Sequence, residues 1–399
     1  MDERLARRIG VRIRTHREAN RQKQVVVAEL AGITADYLYQ VERGKKLPTV
    51  AVLAELAKVL RTSVGALVDQ QPETRECPRR SEPSDRMFRS LTETLATTDQ
   101  LPVKELRERI GSAWRIWQTS PQRYSAIAPL LPAVVSMTRA AEGAAGSADR
   151  REIARCATSL YALLRTVMKR FGRLDLALLA ADRGVRAAET ADDRRWLAMA
   201  RWNLAHVLLA DKQAEHASDV ARTAAAELRT LVNECDRDAA ALHGSLILLD
   251  TVAHVRRGDV WTAREHLREA ASLAERTGEC NAGWTAFGPT NVAMHAVSIE
   301  AEAGEFTEAL RLAERVEFGC SASIERRAAF LIDHARVYLH RRDHAAALCA
   351  LREAHRAVPE DVARRPVAQA ALRMVVRRGS RSVARDAARL AAVAGVPLA

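Results

Sequence analysis

Five times between residues 170 and 350 the chain sets a turn-forming residue five positions ahead of a small alanine. The alanines are Ala177, Ala217, Ala263, Ala309 and Ala347, and the residues five earlier are Gly172, Lys212, Gly258, Gly304 and Arg342. The clearest copies are Gly258-Asp259-Val260-Trp261-Thr262-Ala263 and Gly304-Glu305-Phe306-Thr307-Glu308-Ala309, and Arg342 to Ala347 is a degenerate one. The anchors stand 40, 46, 46 and 38 residues apart, and small residues recur behind them at Ala181, Gly184, Ala221, Ala224, Ala270, Ala313 and Ala354. Glycine takes the left-handed conformation that ends one helix, and the small anchor lets the next helix approach closely. A hairpin of this kind has two apolar faces and must stack on neighbours, which predicts a helical solenoid.

These residues resemble tetratricopeptide repeats, over roughly 150–395, with weaker hairpins at 103–142. The spacing exceeds the 34 residues of the standard repeat, and the first-helix signature is poor: Leu204-Ala205 fits it and Asp250-Thr251 does not. The resemblance implies a right-handed α-solenoid.

Composition agrees with an all-α chain. Aromatic residues are only 4%, too few for a sandwich or barrel, and Ala, Leu, Arg and Glu dominate. The chain has 399 residues, more than one ordinary core accommodates. No run reaches the ~18 apolar residues of a membrane span. The first eight residues carry charges and no apolar stretch, so the expectation is a cytoplasmic protein with no membrane partner. Net charge is +12, which favours a polyanionic partner or, since 55 of 62 basic residues are Arg, reflects codon bias. The six cysteines (77, 156, 235, 280, 320, 349) lie far apart without a zinc spacing and read as small buried apolar residues, not disulfides. No metal and no cofactor is expected.

Residues 1–69 divide into five short helices: about Arg4–Ala19 with Leu5, Ala6, Ile9 and Ile13 inward, Gln24–Ala31 ended by Gly32, Ala35–Arg43 capped by Thr34 and ended by Gly44, Val50–Leu60 capped by Thr49, and Ser63–Val68. Two short helices joined by a Gly-containing turn form a helix-turn-helix. Gln24-x-x-Val27-Ala28-x-x-Ala31-Gly32-Ile33-Thr34, Tyr37-Leu38-x-x-Val41-Glu42-Arg43-Gly44-Lys45-x-x-Pro48 and Leu53-x-x-Leu56-Ala57-x-x-Leu60 resemble the phage-repressor-type (xenobiotic-response-element, lambda-repressor-like) DNA-binding domain.

That resemblance implies roles. The helix starting at Thr34 would lie in the major groove, with Ala35, Asp36, Tyr37, Tyr39 and Gln40 toward the DNA. Gln40 pairs bidentately with adenine; Asp36 is either an acceptor for cytosine or a solvated cap. Gln24 would touch a phosphate, and Arg43, Lys45 and Lys46 the backbone. Arg17 and Glu42 take the positions of a buried structural ion pair. Lys23 replaces the usual Ser, Val25-Val26-Val27 is a weak helix run, and Arg61 stands where Gly normally ends the fourth helix.

Residues 70–86, with three prolines and many charges, read as a linker to a body at 87–399. Matching repeats places Trp202, Asn203, His206, Asn291, Met294, Ser298 and Arg336 near a concave groove. Asn side chains there can clamp a peptide backbone and Arg336 a carboxylate, though each has an ordinary core role. Phe287-Gly288-Pro289-Thr290-Asn291 is a rigid connector or a pocket rim, with Thr290 placed to cap the next helix. A repressor-type head on such a body resembles the peptide-pheromone-sensing regulators of Gram-positive bacteria and actinobacterial regulators of specialised metabolism or development. The expected function is a homodimeric, sequence-specific regulator binding a double-stranded operator, with a peptide or small-molecule effector. The alternatives are a protein-interaction adaptor and an antitoxin-like repressor. No P-loop, nucleophile elbow, HExxH or kinase set is present, so no enzyme is expected.

Overall fold

The computed structural model describes residues 3–20, 22–60, 62, 64–68, 82–92, 101–144, 146, 148–317 and 323–398. They fall into two compact units, Met1–Cys77 and Pro78–Ala399. Most of the expected linker, residues 70–81, lies outside the described residues, as do Leu5's side chain, Arg61 and Ser63. Glu82 to Arg86, read as linker, are instead helical and open the second unit.

The first unit contains α1 (Glu3–Ala19), α2 (Gln24–Leu30), α3 (Ala35–Glu42), α4 (Val50–Val59) and α5 (Val64–Val68). Thr34 Oγ1 accepts from Tyr37 N–H and Thr49 Oγ1 from Val52 N–H, so each hydroxyl satisfies an amide that its helix leaves open. Ala6, Ile9, Ile13, Val27, Ala28, Leu38, Val41, Leu53, Leu56 and Leu67 form the core. The three-valine run is helical because Val27 is buried there while Val25 and Val26 face outward; packing overrides a weak propensity. Gly10 lets α1 lie on α3: a Cβ there would stand 2.1 Å from the Val41 carbonyl oxygen.

The second unit begins with α6 (Glu82–Thr92), α7 (Val103–Thr119), α8 (Arg123–Ile127) and α9 (Leu131–Ala144). Helical hairpins follow: α10 (Arg150–Arg170) with α11 (Leu174–Ala191), α12 (Arg194–Ala210) with α13 (Ala214–Asn233), α14 (Arg237–Arg256) with α15 (Val260–Thr277), α16 (Pro289–Ala303) with α17 (Phe306–Ala313), and α18 (Ile324–His340) with α19 (His344–Ala357). After α20 (Pro359–Arg364), α21 (Pro366–Arg378) pairs with α22 (Arg381–Val393).

The five turns are built alike. Gly172, Lys212, Gly258, Gly304 and Arg342 all have φ between 61° and 85°. In each, that residue's N–H bonds a carbonyl three back and the next N–H one five back, the paired bonds of a Schellman motif. The anchors Ala177, Ala217, Ala263, Ala309 and Ala347 are all fully buried. The turn is thus kept even where Lys212 and Arg342 must enter the left-handed region. The 46-residue spacings arise from the long α13 and α14 and then from the connector after α15.

That connector differs from its sequence reading. Phe287 is fully buried, and its ring fills the space over Gly244, where a Cβ would stand 2.1 Å from Cζ. It is core, not rim. Thr290 does not cap α16; Glu279 Oε1 accepts from the Thr290 N–H at 2.8 Å in its place. Cys156 is buried, but Cys235, at a turn with φ of 62°, and Cys349 are exposed, against the expectation of burial. All three and Cys280 are free thiols, and Cys77 and Cys320 lie outside the described residues. Among the described residues no helix is long and apolar enough to cross a membrane.

The solenoid curls far enough for its first helices to meet its later ones. Arg123 of α8 pairs with Asp361 of α20 at 2.6 Å, and Trp117 Nε1 donates to Glu325 of α18. Glu325 also accepts from Arg170 of α10.

Candidate nucleic-acid interface and effector cavity

Leu38 and Val41 anchor α3 in the core, which turns Asp36, Tyr39, Gln40 and Arg43 toward its outer side. Asp36 and Tyr39 are exposed, Gln40 half-buried; Ala35 and Tyr37 are half-buried against the core margin. Thr34 is exposed but its hydroxyl is occupied as the cap. Asp36 therefore is not the cap. Its Oδ2 accepts from Gln40 Nε2 at 2.6 Å, so the two candidate base readers hold each other one helical turn apart.

The basic residues are arranged around this edge. The Arg43 guanidinium lies 4.9 Å from the centre of the Tyr39 ring and the Lys46 ammonium 5.5 Å from that of Tyr37. Lys45 and Lys46 are exposed. Residues 1–69 carry thirteen Lys or Arg against eight Asp or Glu, a surplus of five.

Gln24, expected at a phosphate, also has a partner within the protein. Its Nε2 donates to Glu42 Oε2 at 3.0 Å, joining the Arg17–Glu42 pair. Arg17 Nε meets Glu42 Oε1 at 2.7 Å, Nη2 meets Oε2 at 3.0 Å and Nη1 donates to the Gln22 carbonyl. The carboxylate thus ties α1, α2 and α3 together. The family resemblance pointed to the Arg–Glu pair; nothing in the local spacing marked Gln24 as its third member.

In the second unit a cavity of about 810 Å³ lies between α10, α12, α14, α16 and α18. Trp202, His206, Asn291, Met294, Ser298 and Arg336 line it. Asn203 does not: it is buried behind the wall, accepting from Arg165 and donating to the Met199 carbonyl. Phe287 is absent from the wall too, for the reason given above. Arg336 already faces Asp333 at 3.3 Å, and Ser298 donates to the same carboxylate. Asn291 Oδ1 is buried with no hydrogen-bond partner among the described residues, an acceptor open to a ligand N–H.

The walls are cationic. Lys169, Arg170, Lys212, Arg256, Arg326, Arg336 and Arg365 line the cavity with two carboxylates, Glu302 and Asp333, while Arg170 and Arg365 also pair with Glu325 and Asp361, respectively. Burial, with Arg170 and Arg165 beside it, holds the Lys169 ammonium well below the usual lysine range. Burial takes Arg165 down to about 9. An adjoining recess of about 80 Å³ shares Lys169, Arg170, Trp202, His206 and Arg326 and adds the indoles of Trp114, Trp117 and Trp284. Trp114 and Trp284 stack at 5.2 Å. Crowded cations beside apolar rings suit an anion with an apolar or aromatic part. Sequence reading missed the basic residues because they come from separate helices in a chain with arginine everywhere.

Two histidines sense this crowding. Burial, then Lys169 and Arg165, holds His206 well below the usual imidazole range, and burial, then Arg326, takes His295 down to about 3. In the unfolded chain both titrate near 6.5. As pH falls below ~6.5 the unfolded state takes up protons first, so stability drops by about 1.4 kcal/mol per pH unit for each histidine. Urea midpoints read by tryptophan fluorescence are expected to fall from pH 7 to pH 5. His295→Gln should flatten the free-energy slope by about 1.4 kcal/mol per pH unit; an unaltered slope contradicts this.

Residues 8–71 match the helix-turn-helix domain family. Two uncharacterized HTH-type transcriptional regulators of Mycobacterium tuberculosis, one each from strains CDC 1551 / Oshkosh and H37Rv, are 41% identical over 58 residues, 14% of this chain. The match spans 41% of the length of those relatives. Among solved structures, Bacillus thuringiensis PlcR in complex with the peptide PapR7 and DNA aligns at 13% identity and a TM-score of 0.32, over 68% of this chain and 95% of that one. The competence regulator ComR from Streptococcus vestibularis aligns at 11% identity and 0.30, over 98% and 100%. ComR from S. thermophilus, in complex with DNA and its signalling peptide ComS, aligns at 15% and 0.29, over 82% and 99%.

Proposed function

We propose, from the premise that the amino-terminal unit is a helix-turn-helix domain, that this chain is a sequence-specific DNA-binding transcriptional regulator. It works as a homodimer at the nucleoid, and an anionic peptide or small molecule in the cationic cavity sets its activity. The observation that carries this reading is the outward edge of α3, where Asp36 and Gln40 stand ringed by Arg43, Lys45 and Lys46. In the major groove, Gln40 exchanges its bond to Asp36 for the N6 and N7 edge of an adenine, and Asp36 accepts from a cytosine N4. Arg43, Lys45 and Lys46 neutralise phosphates and release counterions, which gives affinity without sequence preference.

One such helix reads few base pairs, so two chains bind half-sites about 34–36 Å apart. An effector changes activity only through different affinities for two arrangements of the protein. The groups to supply that difference are Arg170 and Arg326, which line the cavity, with Arg170 also bound to Glu325. An anion drawing on Arg170 weakens its hold on Glu325 and with it the junction of α7, α8 and α18.

The test is selection of duplexes from a random pool by the full chain, followed by sedimentation of the complex. Enrichment of one two-fold-symmetric sequence bound by two chains is expected. Failure to enrich any sequence above the input pool favours the adaptor reading.

A further inference from the structure

The α14–α15 hairpin carries a second polar cluster. Asp250 and His254 of α14 and His266 of α15 each bring one ligand-capable atom to within 4.8 Å of the others. His266 Nδ1 stands 3.2 Å from Asp250 Oδ2 and His254 Nε2 stands 3.8 Å from Asp250 Oδ1. The two imidazole planes are perpendicular, at 89°.

Three further observations converge on a cation. Asp250 is 4% exposed, and among the described residues no Lys or Arg pairs with it. A carboxylate removed from water needs a compensating charge. His266 Nδ1 is buried and makes no hydrogen bond, since its approach to Asp250 has the distance of one but not the alignment. His254 Nδ1 lies 3.1 Å from Asp259 Oδ2, a carboxylate to which that nitrogen can donate while Nε2 faces Asp250. A carboxylate behind the ligating imidazole is the usual outer partner of a metal-bound histidine.

We propose that Asp250, His254 and His266 bind one divalent transition-metal ion, zinc by the character of the donors, and that Asp259 positions His254. Metal–ligand bonds of about 2.0–2.2 Å place tetrahedral donors about 3.4 Å apart, so donors now within 4.8 Å of one another close in slightly on the ion. Three protein ligands leave the fourth position to water or an incoming group. The ion joins α14 to α15, and Ser218 of α13 donates to its Asp250 ligand. On its neighbouring face α14 presents Leu248, Leu249, Val252 and Arg256 to the large cavity, and the ion therefore stiffens that wall.

The test uses the full chain, free of any polyhistidine tag and stripped with a chelator, titrated with Zn²⁺ alone. One ion per chain and a rise in the melting temperature are expected, and Co²⁺ should show the visible absorption of a tetrahedral site. His266→Gln and Asp250→Asn should each weaken zinc by at least ~100-fold with helicity unchanged. If Asp250→Asn does not fold, the half-exposed His266→Gln decides. Asp259→Asn keeps an oxygen for the Thr262 N–H that caps α15, so it should weaken zinc about 10–100-fold while the metal-free melting temperature stays put. Wild type that binds no ion, or His266→Gln that binds it undiminished, overturns the site. Undiminished binding by Asp259→Asn overturns its positioning role.

Discussion

Arg123→Met is expected to destabilise the helical-repeat unit by about 3 kcal/mol, the low end for a broken buried ion pair because Asp361 keeps Arg365. Both side chains of the Arg123–Asp361 pair are fully buried, and they bond at 2.6 Å across 238 positions of sequence. The guanidinium also lies 4.5 Å from the centre of the Trp117 ring. Without it, Asp361 keeps only Arg365 and the Tyr124 hydroxyl, with Oδ2 already unbonded. All six tryptophans belong to this unit, so urea unfolding followed by fluorescence reads it alone. A change below ~1 kcal/mol in Arg123→Met contradicts the idea that this pair holds the curled solenoid shut.

Glu42→Ala is expected to abolish DNA binding without removing a DNA contact. The Glu42 carboxylate is the common acceptor for Arg17 and Gln24, and its side chain is 5% exposed. Its removal leaves the Arg17 guanidinium, 13% exposed, with the Gln22 carbonyl, the half-exposed Glu18 carboxylate at 3.6 Å and a little solvent. The loss should be about 3 kcal/mol, the low end for a broken buried pair. A unit of this size holds only ~0.05–0.15 kcal/mol per residue, so that is a large part of its stability. Hydrogen exchange of the full-length variant should show α1, α2 and α3 losing protection while the hairpins of the second unit keep theirs. Wild-type protection in α1–α3 rules out the tie.

What the sequence made legible is what local geometry imposes. A left-handed residue five ahead of a buried alanine locates each of the five repeat turns, Lys212 and Arg342 included, because the Schellman bonds need the conformation whichever side chain adopts it. Thr34 and Thr49 announce their helices because a cap acts on an amide three residues away. What stayed hidden depends on partners distant in the chain. Thr290 looks like a cap, but the Glu279 carboxylate arrives from beyond the connector and takes the amide. Phe287 looks like a rim aromatic, but Gly244 on α14 opens a place for its ring. The i, i+4 spacing of Asp36 and Gln40 was in view, yet their bond shows only with both on one outer face. The cationic walls had no local contrast to mark them in a chain with 55 arginines.

The central claim is that the outer edge of α3 reads bases while the lysines behind it grip phosphates. Anisotropy titrations on the selected duplex and on a scrambled one, across a range of salt, separate the two roles. Gln40→Ala should lose about 1–3 kcal/mol on the selected duplex and nothing on the scrambled one. Lys45→Ala should weaken both alike and lower the salt slope by about one. Equal losses on both duplexes for Gln40→Ala, or none on either, would contradict the claim.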